Sequence, residues 1–437
     1  MSHFKSLCVA VFLLSGTTLF AQTYTSYFTG NPTDVVTVPT GGSVLMGGAT
    51  ESDDAMRWFL QRANGGDILV LRASGSDGYN DYLYTELGIT VNSVESIVFN
   101  EASAATEAYI HDKIAKAEAI WFAGGDQWNY VNYWRDTTIQ TLLNEAINDR
   151  DVVIGGTSAG MAILGGHYFT AQNGTITSSS ALANPYHPRA TVSSEPFLEI
   201  DYLSDIITDT HYDDPDRRGR HTTFLARIMT DTGIAARGIA CDEYTAVCID
   251  PAGIARVYGD FPSSNDNAYF IMSNCELPDR TPEICVINTP LRWNRGGMAL
   301  KAYRVKGTVD GINTFDLNDW TTGVGGAWED WSVNDGVFSA IASDAVTCNP
   351  LSVPQFDTVQ VTAYPNPTSD WIYLQATQGV SEVQLFDLSG RKKSIQLENS
   401  GSFKRFSTQQ LSDGMYLLHI RLDDQSTKIK RILKQSN

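Results

Sequence analysis

The segment Gly156-Thr157-Ser158-Ala159-Gly160 follows the β-branched run Val152-Val153-Ile154 and precedes the apolar Met161-Ala162-Ile163-Leu164. A short strand that runs through Gly-x-Ser-x-Gly into a helix lifts the serine hydroxyl to the apex of a tight turn. Small neighbours are needed there, because the backbone bends sharply and partner groups must approach closely. The helix that begins after the serine offers free N–H groups, which suit an oxyanion. By itself the segment also fits a glycine-rich turn of any α/β protein, so its chemistry depends on partners elsewhere.

A serine hydroxyl is a poor nucleophile without a base, and the base must be oriented by a third group. Seven histidines are available. His3 falls in the N-terminal leader, His419 in a strand-like run near the C-terminus, and His111 in a helix-like stretch that precedes the serine. Among His167, His187, His211 and His221, His211 has the best context, since it ends the strand-like Ile206-Ile207-Thr208-Asp209-Thr210 and opens a polar loop. An α/β-hydrolase shares Gly-x-Ser-x-Gly but needs the order serine, acid, histidine, with the histidine far downstream. After His221 the next histidine is His419, so the order serine then histidine fits better. There is no CxxC pair and no HExxH, so neither a metal nor another cofactor is expected.

The elements that must position these groups alternate. Apolar runs at residues 43–46, 67–71, 96–99 and 119–122 are separated by helix-like stretches, and the first and last end in Gly47-Gly48 and Ala123-Gly124-Gly125-Asp126. This is the pattern of an α/β domain with a mostly parallel sheet, whose loops gather at the carboxyl edge where sites are usually built. Residues 310–359 change texture, being rich in Gly, Asn, Asp and Trp, and form either a β-rich extension or a linker. From residue 360 onward short strands alternate with turn signals such as Ser389-Gly390-Arg391, the pattern of a small β-sandwich.

Composition supports this division. A chain of 437 residues exceeds one ordinary domain, and 42% hydrophobic with 19% charged residues describes a globular protein. The net charge of −19 excludes a nucleic-acid partner, since little would neutralise phosphates. Residues 360–437 carry +3, leaving −22 on the rest, a shift that marks a boundary. Lys5 followed by the apolar residues 7–14 reads as a signal peptide over residues 1–21, too short to span a bilayer. Five cysteines follow it, and Cys275 and Cys285, on either side of a turn-rich stretch, could form a local disulfide.

Gly156-Thr157-Ser158-Ala159-Gly160 resembles the nucleophile turn of the cyanophycinase and dipeptidase E family of serine peptidases. Phe122-Ala123-Gly124-Gly125-Asp126-Gln127 is similar to its glycine-rich loop. Asp209-Thr210-His211-Tyr212, followed by Arg218-Gly219-Arg220, resembles the cyanophycinase segment Asp-Gln-His-Phe with its arginines. Gly238-Ile239-Ala240-Cys241-Asp242-Glu243-Tyr244 resembles a later strand and loop that ends in a glutamate. The resemblance spans residues 43–305 and, within a domain of residues 22–309, implies a flavodoxin-like core related to class I glutamine amidotransferases. It implies Ser158 as nucleophile, His211 as base and Glu243 as the orienting acid, with Asp242 and Asp209 as neighbouring alternatives. It further implies an oxyanion hole from Ala159 and either Gly125 or Asp126, and substrate contact from Gln127. Thr210 and Thr223 stand where cyanophycinases carry glutamine and arginine, and residues 213–216 are extra.

Arg218 and Arg220 are candidate anchors for a substrate carboxylate, or else partners of Asp213, Asp214 or Asp216. Residues 360–437, with Tyr364-Pro365-Asn366-Pro367 and the basic Lys428-Ile429-Lys430-Arg431, resemble the C-terminal sorting domain of type IX secretion substrates. The expectation is an exported peptidase of peptide or isopeptide bonds beside acidic residues, recognised by the type IX machinery. The competing expectation is a non-catalytic secreted protein that keeps the fold and binds a ligand. Oligomeric state is not legible, a homodimer being one state to test.

Overall fold

The computed structural model describes residues 22–347, 361–376, 379–387, 390–400, 403–423 and 427–435. The signal-peptide reading of residues 1–21 lies outside them. The chain divides into two compact units, residues 1–348 and 349–437.

In the first unit a ten-stranded sheet has five parallel strands at its centre, in the order Ser93–Phe99, Asp67–Arg72, Ala119–Phe122, Val153–Thr157 and Ser43–Met46. Antiparallel strands continue it on both sides: Tyr24–Gly30 beyond Ser93–Phe99, and Ala246–Ile249 beyond Ser43–Met46. Alternation decides what each face covers. Ile68, Val70, Trp121 and Val44 point toward helix Asp53–Arg62, packing on Met56, Phe59 and Leu60. Leu69, Leu71, Ile120 and Phe122 point the other way, onto Ile114, Tyr130, Trp134 and Leu143 of three further helices. Because both faces are covered, runs such as Ile68-Leu69-Val70-Leu71 and Ala119-Ile120-Trp121-Phe122 are apolar on both sides of the strand.

A second, six-stranded sheet was not foreseen from the sequence. Its order is Val337–Ala342, Gly326–Asn334, Leu300–Lys306, Asn267–Ser273, Arg237–Cys241 and Ile206–Asp209, and only the last two strands run parallel. One face shares the main core through Ile239, Phe270 and Val305. The other buries Ile207, Ala240 and Ile271 against Phe224, Leu225 and Ile228 of helix Arg218–Thr232. Residues 314–342 supply strands to both sheets.

The expected Cys275–Cys285 disulfide is overturned, since Cys285 is a free, buried thiol. Cys285 packs in the helix-side core of the second sheet while Cys275 packs against the main core. Cys275 is disulfide-bonded, but not to Cys285.

Among the described residues the second unit has two four-stranded antiparallel sheets. Tyr416, Leu418, Ile420 and Leu422 alternate inward along one strand to meet Ile372, Leu374 and Phe406, the core of a β-sandwich.

Candidate active site

The five buried residues of Val153–Thr157 end at Ser158, whose backbone lies at φ 51°, ψ −114° before helix Ala159–Ala162. A non-glycine residue in that region is strained and persists only where its surroundings fix it. Here they do. A β-carbon on Gly156 would come within 2.6 Å of Gly160, and one on Gly160 would overlap the Phe122 carbonyl. The glycines of Gly-x-Ser-x-Gly therefore let the turn fold onto itself and onto the neighbouring strand.

His211 follows strand Ile206–Asp209 of the second sheet, also with positive φ (45°). Its Nε2 lies 2.8 Å from Ser158 Oγ and its Nδ1 lies 2.6 Å from Glu243 Oε1. With a carboxylate on Nδ1, that nitrogen donates and Nε2 accepts from the serine hydroxyl, the tautomer a general base needs. Glu243 sits where the chain leaves the second sheet at Cys241 and enters the first at Ala246. The three side chains thus come from two sheets.

Gly47 and Gly48 bind the parts together. Ser158 N donates to the Met46 carbonyl (3.1 Å), His211 N to Gly47 (2.8 Å), and Tyr244 N to Gly48 (3.2 Å), while Gly47 N donates to Thr245 (2.9 Å). The end of a single strand therefore holds all three loops.

The alternative acids are engaged elsewhere. Asp242 Oδ2 accepts from Asn267 N and Nδ2, both at 2.8 Å, and burial raises its carboxyl to about 6. Asp209 Oδ2 accepts from Arg220 Nε at 2.9 Å. Burial would raise the Asp209 carboxyl, but the Arg220 guanidinium outweighs it and holds it below the usual range. Each other candidate histidine has its own partner: His167 Nδ1 meets Ser194 Oγ at 2.8 Å, His187 Nδ1 accepts from Arg189 N at 3.1 Å, and His221 lies between Tyr212 and Ile207.

Ser158 and His211 line a cavity of about 240 Å³ with Gln127, Phe169, Arg217 and Arg220 among its walls. Gln127 Nε2 donates to the Phe169 carbonyl at 3.1 Å. Ala159 opens a helix, so its amide has no partner within that helix. Gly124 packs beside Ser158, bringing the turn that contains Gly125 and Asp126 to the serine, and the Asp126 side chain caps the next helix through Trp128 N at 3.0 Å.

Arg218 is not brought into the cavity. Asp216 holds its guanidinium at 3.0 and 2.7 Å. Arg220 is in the wall but already bound to Asp209, Thr175 Oγ1 (3.1 Å) and the Ile176 carbonyl. Arg217, which sequence reasoning passed over, lines the cavity as well. The available signal was the Asp216-x-Arg218 spacing, which assigns that acid to the second arginine and leaves the first without it.

Ser158, His211 and Glu243 thus meet at the carboxyl edge of a mostly parallel sheet, where the sites of α/β folds are usually built. Residues 41–255 match the family model described as Peptidase family S51, and residues 362–435 match that of the Secretion system C-terminal sorting domain. The first region is similar to a cyanophycinase of Synechococcus elongatus, 26% identical over 210 residues, or 46% of this chain and 59% of that protein. A cyanophycinase of Geminocystis herdmanii is 29% identical over 139 residues, covering 31% of this chain and 47% of the relative. The chain thus spans only about half the length of the relatives it matches. Among solved structures, a peptidase from an acI-B1 actinobacterium aligns over 51% of this chain and 89% of its own, with 14% identity and a TM-score of 0.39. The chain is similar to the cyanophycinase and dipeptidase E group and carries a sorting domain that marks it for secretion to the cell surface or beyond.

Proposed function

We propose that this chain is an exported serine peptidase hydrolysing peptide or isopeptide bonds next to acidic residues through an acyl-enzyme. The observation that carries the proposal is the continuous relay from Ser158 Oγ through His211 to Glu243, at 2.8 and 2.6 Å, on the wall of a cavity. In this reading His211 Nε2 takes the Ser158 proton as Oγ attacks the scissile carbonyl, and Glu243 stabilises the imidazolium that forms. The amide of Ala159, with that of Gly125 or Asp126, receives the developing oxyanion; one such donor is typically worth about 10²–10³ in rate. His211 then returns the proton to the leaving amine, and water repeats the sequence on the acyl-enzyme. The C-terminal unit serves export through the type IX secretion machinery.

The test is labelling with a fluorophosphonate probe, followed by a peptide library that includes β-aspartyl bonds. The name of its relatives adds cyanophycin to that panel. Wild-type protein should label at Ser158 and turn over, whereas Ser158→Ala should do neither, since loss of a triad nucleophile typically costs several orders of magnitude in rate. Absence of label on folded wild-type protein would favour a non-catalytic ligand-binding protein.

A further inference from the structure

Two loops must keep a fixed relation for His211 and Glu243 to meet, the one that follows His211 and the one that carries Glu243. Three consecutive amides of the second loop are each taken by a different element. Asp242 N donates to the Asn267 carbonyl at 2.9 Å, and Tyr244 N to the Gly48 carbonyl at 3.2 Å. Between them, Glu243 N donates to Oδ1 of the Asp213 side chain at 3.2 Å. Asp213 stands two residues after His211, so one side chain joins the loop of the base to the amide of the acid. It also opens the extra stretch 213–216, which makes the tie a feature of this chain.

The loop needs such ties. Tyr244, next after Glu243, has a φ of 59°, a left-handed conformation that a tyrosine keeps only where its surroundings fix it. Electrostatics alone would not put a carboxylate here. Asp242 is already raised by burial, and the Asp213 charge raises it further. The arginines of the segment do not offset that charge. Arg218 is held by Asp216 and Arg220 by Asp209, and Asp213 forms no ion pair among the described residues. What the Asp213 carboxylate does gain is the Glu243 amide, and an N–H donated to an ionised oxygen makes a stronger hydrogen bond than one donated to a neutral oxygen.

We propose that Asp213 is a positioning residue: by accepting the Glu243 amide it sets where the Glu243 carboxylate meets His211 Nδ1, and so keeps the imidazole in the tautomer that serves Ser158. The proposal rests on the peptidase reading for its kinetic form and on the imidazole contact alone for its spectroscopic form. That contact, from Nδ1 to Glu243 Oε1, is 2.6 Å. A retreat of the loop by about 1 Å would take it out of hydrogen-bond range.

The test compares Asp213→Ala, Asp213→Asn and wild type. Asp213→Ala removes the acceptor and should lower kcat by roughly 10-fold, the effect of one charge-assisted hydrogen bond, with KM nearly unchanged. Asp213→Asn keeps an oxygen acceptor without the charge and should recover most of that loss. Equal damage from both variants would overturn the proposal, since the charge and not the tie would then matter. A loss of kcat that merely follows the folded fraction in a thermal melt would overturn it as well. Ring-nitrogen NMR on protein with isotope-labelled histidines needs no turnover and so keeps the two readings apart. Wild type should hold the His211 proton on Nδ1, Asp213→Ala should mix the two tautomers, and Asp213→Asn should restore the first. That pattern would support the role of Asp213 even if wild type hydrolyses nothing. Equal turnover by wild type and Asp213→Ala would leave the peptidase standing and sink the role of Asp213.

Discussion

Gly48 lies against the His211 imidazole so closely that a β-carbon at that position would overlap the ring. Its φ of 123° is also one that side-chain-bearing residues rarely adopt. The floor of the imidazole is therefore a glycine backbone, and the adjacent Gly47 carbonyl accepts the His211 amide. Gly48→Ala should push the ring off Ser158, and a displacement near 1 Å can cost about 100-fold in rate. Steady-state kinetics beside a thermal melt is the check. A variant with normal kcat would show that the contact does not position the base.

Glu243→Gln should keep the His211 contact but favour the wrong tautomer, lowering kcat by roughly 10³–10⁴ with little change in KM. Asp242→Asn and Asp209→Asn are the comparisons. Asp242 binds Asn267 and should affect turnover far less. Asp209→Asn leaves the buried Arg220 without its counter-ion, so it should show as lost stability, about 3–5 kcal/mol in a denaturant titration. If Asp242→Asn matches Glu243→Gln in a folded protein, the orienting acid is misassigned.

His221 makes stability depend on pH. Complete burial, offset only in part by the Asp209 charge, pushes its imidazole down to about 4. The unfolded chain would accept a proton near 6.5 that the native state refuses. Stability from this group is thus full above about pH 6.5 and is lost as pH falls toward 4, by roughly 3 kcal/mol. In the native neutral ring Nε2 donates to the Ile207 carbonyl and Nδ1 accepts from Tyr212 Oη, each at 3.1 Å. Denaturant midpoints between pH 4 and 7 should slope for wild type and flatten for His221→Asn. An unchanged slope in the variant assigns the pH dependence elsewhere.

Protein collected outside the native host should begin near Gln22 and lack most of residues 360–437, as intact mass would record. A full-length product retained in the cell counts against this. Removal of residues 349–437 should leave hydrolysis unchanged, because the first unit has its own core and contains Ser158, His211 and Glu243.

The Ser158 turn was legible in the sequence because its requirements are local. A strand, three small residues and a helix start are consecutive, and each constrains the next. The strands that bring Phe122 and Thr157 to one edge were legible for a similar reason, since apolar runs ending in glycine report burial and a turn together. His211 stood out by its place at the end of a strand-like run and Glu243 only by motif resemblance, while spacing could not pair either with Ser158, as 53 residues separate His211 from it. Tertiary structure alone decided that these residues arrive from two different sheets joined at Gly47 and Gly48, because backbone hydrogen bonds between distant loops leave no periodic trace. It also decided the fate of the arginines. Which of Arg217, Arg218 and Arg220 keeps its charge free depends on where Asp209 and Asp216 point, and an ion pair is a property of geometry in three dimensions. The cysteines make the same point, since Cys275 and Cys285 are near in sequence but belong to different cores.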